Sequence, residues 1–544
     1  MNSTTKFLAA AAVAAIGLAI VLNRCCCDNS SDKPNVILIT LDTTRADYLS
    51  CYGYPVETTP HMDKLASEGV MFTRAMSTSS LTPVSHGSIL TGLYQYKHGI
   101  RVMFADSGFR LAPDTQSFAT VLKKRGYTLA AIHSSFPVSN FFGFNQGYDV
   151  FDSFEKADVG DRSWPKVDSK GAPVLDDSGQ PLMNELTGWS TEGATRRSDD
   201  TTDRALSFLE SAEGPFFLWI HYWDPHDADV APPDEFMNGK GLVKNPGGYY
   251  RRTDEFYAEE VRYLDSQIGR LFAGLREQGL YEDSLIVLTA DHGDGLSDGE
   301  KNHGWKAHRE LYVEQLNVPL MFKFPQGTSG FKAGLEVDQL VSTVDIFPTV
   351  CDYLDIALTE LVNGVSLRDL VEERAADPRI FYADQVKAFD KNAAMTENRP
   401  KALLIYAAMN NEWKLIYRPT EEDPKELYHI ASDPRELKNV AAANPEIVNE
   451  LMLELAGRGG WVTEEFQLHG APVEQPDRAL EGLGYVGRVG EYKGTFDWVC
   501  PIGHTRREIK RGDCTECGNP LVPLAQPVTE PAEETETESK PKEE

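Results

Sequence analysis

The sequence is short of positive charge. Lysine and arginine together number 53, against 83 aspartates and glutamates, which gives a formal net charge of −30 over 544 residues. No basic stripe stands out, and proteins that bind nucleic acid concentrate lysine and arginine on one face, so nucleic acid is not an expected partner. An acidic protein that handles an anion needs local positive charge, and a bound metal ion can supply it.

The sequence also lacks a disulfide framework and internal repeats. Cys25, Cys26 and Cys27 adjoin the N-terminal apolar segment, Cys51 and Cys351 are isolated, and the other three of the eight cysteines cluster near the C-terminus. Even, regular spacing would indicate paired cysteines, and it is missing here. The 41% content of hydrophobic residues is ordinary for a soluble globular protein. The length suits one large α/β domain with smaller pieces.

One long apolar run, FLAAAAVAAIGLAIVL, occupies residues 7–22 between Lys6 and Arg24. It predicts that residues 1–24 are a signal peptide or a short membrane anchor, followed by a linker over 25–34. Either alternative sends the remaining chain across a membrane. We therefore expect an exported protein, periplasmic or at the cell surface, which this segment would anchor to the membrane if it is an anchor and not a signal peptide.

Three apolar runs, at 35–42, 215–226 and 284–293, are rich in β-branched or aromatic residues, and each closes on Asp or His. Helical patterns lie between them, for example at 203–212 and 257–279. Alternating strands and helices predict an α/β fold, with a mostly parallel central sheet and helices on both faces. Ligands bind beyond the carboxyl ends of such strands, so the three ends predict one converging site.

The remaining boundaries follow from changes in composition. We predict a catalytic domain over 35–400, in which 155–200 is a polar surface excursion. A smaller C-terminal α+β subdomain with antiparallel strands is expected over 401–490, and a Cys/His module over 494–524. The acidic, proline-rich tail at 525–544 is expected to be disordered.

Two of the strand ends carry residues that bind metals. Asp42 follows the first run, and Asp291 and His292 follow the third. Two carboxylates and an imidazole suit a divalent ion such as Zn²⁺, Mn²⁺ or Mg²⁺. Thr82 precedes Pro83, which predicts a helix with Thr82 as its N-cap. A metal beside this hydroxyl would make it a nucleophile; without one, Thr82 is only a cap.

Four histidines also fall beside the predicted strand ends. His221 and His226 lie in HYWDPH, and His303 and His308 lie in NHGWKAH. We consider His221 and His308 as catalytic residues and His226 and His303 as substrate contacts.

Residues 35 to about 455 resemble the sulfatase family within the alkaline-phosphatase superfamily. The motifs that carry this resemblance occur in family order: NVILITLDTTRADYLSCYG, SILTGLYQYKHG, GYDVFDSF, HYWDPH, TADHGDG, HGWKAHRELYVEQLNVPL, VDIFPTV and ELYHIASDPRELKNVA. The resemblance implies that Asp42, Thr82, Asp291 and His292 surround one divalent ion (Ca²⁺, Mn²⁺, Mg²⁺ or Zn²⁺), with Thr82 as the nucleophile.

The sequence departs from the formylglycine members of that family. Their nucleophile is made from cysteine in C-x-P-x-R, whereas this chain has Thr82 there and His86 in place of the arginine. We count His86 among the catalytic candidates and expect His86 and His308 to supply adjustable positive charge near neutral pH. Ser134 stands near the expected lysine of a missing G-K-W-H segment. His308 replaces another lysine and is our candidate acid for the leaving oxygen. These changes resemble the branch in which threonine or serine attacks directly.

Near the C-terminus, Cys500, His504, Cys514 and Cys517 form the pattern C-x3-H-x9-C-x2-C. Three thiolates and one imidazole make a tetrahedral zinc shell, and the segment is similar to heavy-metal-binding or zinc-ribbon modules. The alternative is a small knuckle closed by one disulfide.

The sequence therefore predicts a metal-dependent hydrolase of sulfate or phosphate-type esters. Its partner would be an anionic ester: a sulfated or phosphorylated glycan, a lipid or a small molecule. Two alternatives are a phosphoryl-group transferase that acts on envelope glycans or lipids, and a catalytically silent glycan-binding member. The set of Asp42, Thr82, Asp291 and His292 argues against silence.

Overall fold

The computed structural model describes the chain in segments. They cover 33–102, 110–113, 115–152, 195–226, 232–233, 236, 243–244, 250–251, 254–296, 303, 310–386, 404–459, 461, 496–501, 507–508, 513–515, 517 and 519–525. Two units are distinguished, one formed by residues 1–100 and 110–378 and the other by residues 101–109 and 379–544.

The apolar run that starts at Asn35 forms a central strand of the first unit. The described strands of this unit are, in chain order, β1 (Asn35–Leu41), β2 (Val70–Met76), β3 (Thr128–His133), β4 (Val150–Asp152), β5 (Phe216–Tyr222), β6 (Val243–Lys244), β7 (Tyr250–Arg251), β8 (Ser284–Ala290), β9 (Asn317–Lys323), β10 (Leu335–Val337) and β11 (Val341–Ser342). Strands β6 and β7 pair only with each other. The other nine form one sheet.

The sheet follows the order β10-β2-β9-β8-β1-β5-β3-β4, and β11 also pairs with β2. Strands β8, β1, β5, β3 and β4 are mutually parallel. Strand β9 runs antiparallel to both of its neighbours. The prediction of a mostly parallel sheet is confirmed, and β1, β5 and β8, whose apolar residues are almost entirely buried, lie side by side in its middle.

Helices connect these strands. Their described bounds are α1 (Pro60–Glu68), α2 (Thr82–Thr91), α3 (Gln95–His98), α4 (Phe118–Lys123), α5 (Ser198–Ser211), α6 (Asp254–Glu277), α7 (Val313–Leu316), α8 (Ile346–Tyr353) and α9 (Arg368–Val371). The predicted helices at 203–212 and 257–279 correspond to α5 and α6. All ten residues of α2 are buried, so this helix is part of the core.

The start of α2 differs from the prediction by one residue. Leu81, with extended backbone angles, occupies the N-cap position, and Thr82 is the first helical residue. The prediction that Thr82 is the cap was wrong. Its hydroxyl therefore does not cap the helix and faces another partner.

The second unit is built on antiparallel strands, as predicted. Strands β12 (Phe381–Gln385), β13 (Ile405–Met409), β14 (Lys414–Tyr417) and β15 (Lys425–Tyr428) form a sheet in that order. Helix α10 (Pro445–Arg458) contributes Leu451, Met452 and Leu455 to the same core. Strands β16 (Phe496–Val499), β17 (Arg507–Glu508) and β18 (Val522–Ala525) form a three-stranded sheet.

Two predicted domain boundaries differ from the units of the structure. The prediction ended the catalytic domain at residue 400, whereas β12 pairs along its length with β13 and lies in the second unit. The predicted segments 401–490 and 494–524 lie in the same unit, where Trp498, Cys500 and Cys514 share one apolar cluster with residues of β13 and β14. Apolar surfaces of both segments are buried together there.

Several predictions fall outside the described residues: the N-terminal segment at 1–24, nearly all of the excursion at 155–200, the tail after 525, His308 and His504. Within the described segments, no helix combines the length and the apolar character that a membrane span requires.

Candidate active site

The ends of β1 and β8 bring the predicted acidic residues together. The two strands pair in parallel up to Leu41 and Ala290, so Asp42 and Asp291 leave the sheet side by side. Asp42, Asp291 and His292 each place one ligand atom within 4.8 Å of the others, and all three side chains are buried. The structure thus contains the juxtaposition that the sequence predicts.

The Asp291 carboxylate is held through one oxygen and open at the other. Its Oδ1 accepts hydrogen bonds from the backbone N–H groups of Thr43 (3.0 Å) and His292 (2.7 Å). Its Oδ2 is buried without a hydrogen-bond donor among the described residues, and lies 3.4 Å from His292 Nε2. A buried carboxylate oxygen needs a cation or a donor, so this atom suits a metal ion.

The orientation of His292 also suits a metal. Its Nδ1 lies 2.9 Å from the carbonyl oxygen of Gly293, which can only accept, so Nδ1 carries the proton. The lone pair of the neutral ring is then on Nε2, which faces Asp291 Oδ2. A backbone carbonyl that fixes the tautomer in this way is typical of histidines that bind metals.

Thr82 presents its hydroxyl to this group. Thr82 Oγ1 lies 3.3 Å from His292 Nε2, and the residue is 1% exposed. Its carbonyl oxygen accepts hydrogen bonds from His86 Nδ1 (2.8 Å) and the Ser85 hydroxyl (3.1 Å). Both the side chain and the backbone of Thr82 are thus fixed by neighbours.

His221 contacts the side chain of Asp42. Its Nε2 is 3.2 Å from Asp42 Oδ2, and its Nδ1 is 3.2 Å from the hydroxyl of Ser134. The same hydroxyl is 2.7 Å from the carbonyl oxygen of His221. Burial, followed by the neighbouring charge of His86, lowers the pKa of His221 well below its usual value. His221 therefore lies beside the predicted ligand Asp42, held by the residue that replaces the family lysine.

His86 is also fully buried. Its Nε2 lies 3.1 Å from Thr40 Oγ1, so both ring nitrogens have partners in the protein. Burial lowers the pKa of His86, although Asp291 acts in the opposite direction. The expectation that His86 supplies positive charge near neutral pH is opposed by this environment, which favours the neutral ring.

The two candidate substrate contacts, His226 and His303, each stack on an aromatic ring. His226 stacks on Trp223 with ring centroids 3.7 Å apart. His303 stacks on Tyr312 at 3.5 Å, and its Nδ1 lies 3.1 Å from Glu314 Oε1. Burial raises the pKa of Glu314, but the hydrogen bond and charge of His303 outweigh it, so the net shift is downward.

Two residues in the site were missed by the sequence analysis. Thr40 and Trp219 lie inside β1 and β5, and Trp219 Nε1 donates to Thr40 Oγ1 over 3.0 Å. The only signal in the sequence was a hydroxyl within the otherwise apolar strand NVILITL. A fully buried hydroxyl must find a partner, but the partner depends on which strands are neighbours.

The second unit contains a cluster of three cysteines. Cys500, Cys514 and Cys517 place their sulfur atoms within 4.8 Å of one another, and the first two are buried. The Sγ atoms of Cys500 and Cys517 are 3.7 Å apart, and all three residues are free thiols. The Asn519 side-chain amide donates to Cys517 Sγ over 3.3 Å.

Comparison with known proteins gives two family matches. The model of the family described as Sulfatase matches residues 34–356. A second model, described as N-sulphoglucosamine sulphohydrolase, C-terminal, matches residues 299–458.

Similar proteins include both sulfatases and a phosphonate hydrolase. An arylsulfatase from Clostridium perfringens is 26% identical over 468 residues, which cover 77% of this chain and 94% of the relative. An N-acetylglucosamine-6-O-sulfatase from Bacteroides thetaiotaomicron is 24% identical, with 75% and 82% covered. The solved phosphonate monoester hydrolase from Silicibacter pomeroyi superposes with a TM-score of 0.59 at 23% identity, over 78% of this chain and 96% of that one. The family model spans more than half of the sequence, and the chain therefore belongs to the sulfatase family of ester hydrolases.

Proposed function

We propose that this protein is a metal-dependent hydrolase of sulfate or phosphate-type esters with Thr82 as its nucleophile. The observation that carries the proposal is the position of the Thr82 hydroxyl, 3.3 Å from His292 Nε2 within the Asp42–Asp291–His292 cluster. The substrate would be an anionic ester, such as a sulfated or phosphorylated glycan, lipid or small molecule.

The donor set fits one divalent ion. Asp42, Asp291 and His292 would hold it together with the Thr82 hydroxyl, and the open Oδ2 of Asp291 supports this assignment. Oxygen donors with one nitrogen are compatible with Ca²⁺, Mn²⁺, Mg²⁺ or Zn²⁺. When bound, the ion would acidify the Thr82 hydroxyl and offset the charge of the ester.

The protein residues would then act in a defined order. Thr82 Oγ1 gives up its proton to solvent and forms a bond to sulfur or phosphorus, and the bond from that atom to the alcohol oxygen breaks. The departing oxygen takes up a proton, for which His308 remains our candidate donor. Water next attacks the ester on Thr82, which releases sulfate or phosphate and restores the hydroxyl. His221, 3.2 Å from Asp42 Oδ2, would orient that carboxylate throughout.

We favour phosphate or phosphonate esters over sulfate esters. A formylglycine nucleophile can expel sulfate by returning to the aldehyde, whereas a threonyl ester has no such route and must be hydrolysed directly. Sulfatases among the relatives argue in the opposite direction. The missing cysteine therefore makes the choice of ester a matter for direct measurement.

The test compares kcat/KM for 4-nitrophenyl sulfate, 4-nitrophenyl phosphate and 4-nitrophenyl phenylphosphonate. Each substrate is assayed with protein from which a chelator has removed the metal. The same protein is then assayed after separate reloading with Mn²⁺, Zn²⁺, Mg²⁺ or Ca²⁺. We expect turnover only after reloading and a preference for a phosphorus ester. A tenfold preference for sulfate, about 1.4 kcal/mol of transition-state stabilisation, would contradict the choice of ester. Activity without any metal, or none on all three esters, would contradict the function itself.

Two further proposals concern the ends of the chain. Residues 1–24 direct export, so the enzyme would work outside the cytoplasm, anchored by this segment if it is retained. Cys500, Cys514 and Cys517 would hold zinc with His504 as the fourth ligand, supported by the sulfur atoms that already lie within 4.8 Å of one another.

A further inference from the structure

A chain of three hydrogen bonds runs from the middle of the sheet to the backbone of Thr82. Trp219 Nε1 lies 3.0 Å from Thr40 Oγ1, Thr40 Oγ1 lies 3.1 Å from His86 Nε2, and His86 Nδ1 lies 2.8 Å from the Thr82 carbonyl oxygen. All four residues are at most 1% exposed. Solvent cannot replace any of these partners.

The chemistry of Trp219 and of the Thr82 carbonyl fixes the direction of the two outer hydrogen bonds. The indole of Trp219 can only donate, so the Thr40 hydroxyl accepts from it. The Thr82 carbonyl can only accept, so His86 must carry its proton on Nδ1. A neutral ring accepts the hydroxyl proton of Thr40 on Nε2, whereas a doubly protonated ring donates from Nε2 to Thr40 Oγ1. Both arrangements keep all three contacts and place a proton on His86 Nδ1.

We propose that Thr40, which accepts a hydrogen bond from Trp219, is a positioning residue: it orients the ring of His86, and His86 in turn holds the first turn of α2. The carbonyl that His86 binds belongs to Thr82 itself, so a shift of this ring would displace the hydroxyl opposite His292. The inference rests on the proposed function, in which Thr82 is the nucleophile. It gives His86 a role as a fixed donor in place of a source of charge.

Thr40 is the residue to change, because it is neither a proposed ligand nor a nucleophile. Thr40→Val keeps the shape but removes the hydroxyl, and Thr40→Ser restores it. The cross-strand partner Thr289, also fully buried, bonds only to the adjacent carbonyl of Ala290 at 3.2 Å in the described structure. Thr289→Val is therefore a matched control for the loss of a buried hydroxyl in this sheet.

We expect Thr40→Val to lower kcat on the best aryl ester about tenfold or more, with KM changed by less than about twofold, since small displacements of reacting groups reduce the rate. Thr40→Ser should recover most of that loss. Thr289→Val should shift the unfolding midpoint by a similar amount while keeping kcat near the wild-type value. A normal kcat in Thr40→Val, or an equal loss in Thr289→Val, would overturn the inference.

Two further measurements separate the possible failures. If Thr82→Ala is inactive while Thr40→Val is normal, the inference fails and the proposed function stands; if Thr82→Ala is active, the proposed nucleophile fails and the inference falls with it. Should Thr40→Val not fold, ¹⁵N shifts of histidine-labelled wild-type protein decide, with His86→Asn to assign the signal. They should show His86 protonated on Nδ1, and a ring protonated on Nε2 alone would overturn the network.

Discussion

At the scale of single residues, a substitution of Thr82 should affect the rate of the reaction far more than the stability of the fold. Thr82→Ala should reduce kcat by three or more orders of magnitude, because no other hydroxyl would take over the attack. The cost in the free energy of unfolding should be only about 1 kcal/mol, since Leu81 and not Thr82 is the N-cap. Steady-state rates, chemical unfolding and metal content measured on the same samples would test this.

Thr91→Ala is the control for that experiment. Thr91 lies at the other end of α2, is also fully buried, and bonds to the Gly87 carbonyl at 2.6 Å. The Thr91→Ala variant should be destabilised, as expected for the loss of a buried threonine side chain, and should keep the wild-type kcat. If Thr82→Ala turned over at nearly the wild-type rate, the attack would have to be assigned to water.

The residues that could be predicted in this site are those at strand ends. Asp42, Asp291 and His292 follow apolar runs, and parallel strands deliver such ends to one edge whatever their order. Thr40 and Trp219 could not be predicted, because their contact depends on β1 and β5 being neighbours in a defined register. His86 was singled out from its motif, but the burial that lowers its pKa depends on tertiary packing.

At the scale of elements, the long helix α6 caps the short helix α1 from outside. Asp265 accepts from the backbone N–H groups of His61 (3.1 Å) and Met62 (2.9 Å), two of the free donors at the start of α1. Its burial nevertheless raises the pKa of the carboxyl to about 7, against hydrogen bonds that lower it. The helix start is thus held by an acid that ionises near neutral pH.

This arrangement predicts a dependence of stability on pH. The pKa is higher in the folded protein than the ordinary value of 3.8, so the folded state holds the proton more tightly. The contribution of Asp265 is therefore complete at low pH and falls as pH rises from about 4 to 7, by up to about 1.4 kcal/mol per pH unit. The unfolding free energy of wild type minus that of Asp265→Asn should therefore decrease as pH rises over that interval. If this signed difference stays constant or increases, the raised pKa is refuted.

The type of each element, helix or strand, could be predicted from the sequence better than the pairing and direction of the strands. The strands at 284–290 and 216–222 and the helices at 198–211 and 254–277 match the runs read from the sequence. Strand β9 is apolar like its neighbours, and nothing in NVPLMFK indicates that it runs antiparallel to both. Direction follows from how the chain returns to the sheet, which local periodicity does not encode.

At the scale of the whole molecule, the cysteine cluster should make part of the chain dependent on metal. Cys500 and Cys514 lie in the apolar cluster of the second unit with Trp498, Leu521 and residues of β13 and β14. Zinc bound there would contribute directly to the stability of that unit. Purified protein should therefore hold one zinc that is released when a mercurial reagent blocks the thiols, with a lower melting temperature.

Cys514→Ser should abolish that zinc, whereas Cys51→Ser, a cysteine outside the cluster, should keep it. Elemental analysis and thermal unfolding of both variants make the comparison. A native protein without thiol-bound zinc, in which mass spectrometry finds two of the three cysteines joined as a disulfide, would contradict the zinc assignment.

The division of the whole chain was the least predictable feature. Composition changes suggested a boundary at 400, yet β12, which ends at Gln385, pairs with β13, which begins at Ile405. Composition reports what each segment contains, while a boundary depends on which apolar faces are buried together. Trp498 and Tyr417 share a core across a long sequence interval for that reason.

The hydrogen bond between Thr43 N and Asp291 Oδ1 joins residues 248 positions apart. A ribosome adds about 5–20 residues per second, so the first half of the site waits at least ten seconds or so for the second. Until β8 is made, Asp42 has neither Asp291 nor His292 beside it, and this site offers a divalent ion only one carboxylate. The proposed ion would thus bind here only after synthesis has passed β8, in whichever compartment the completed fold occupies.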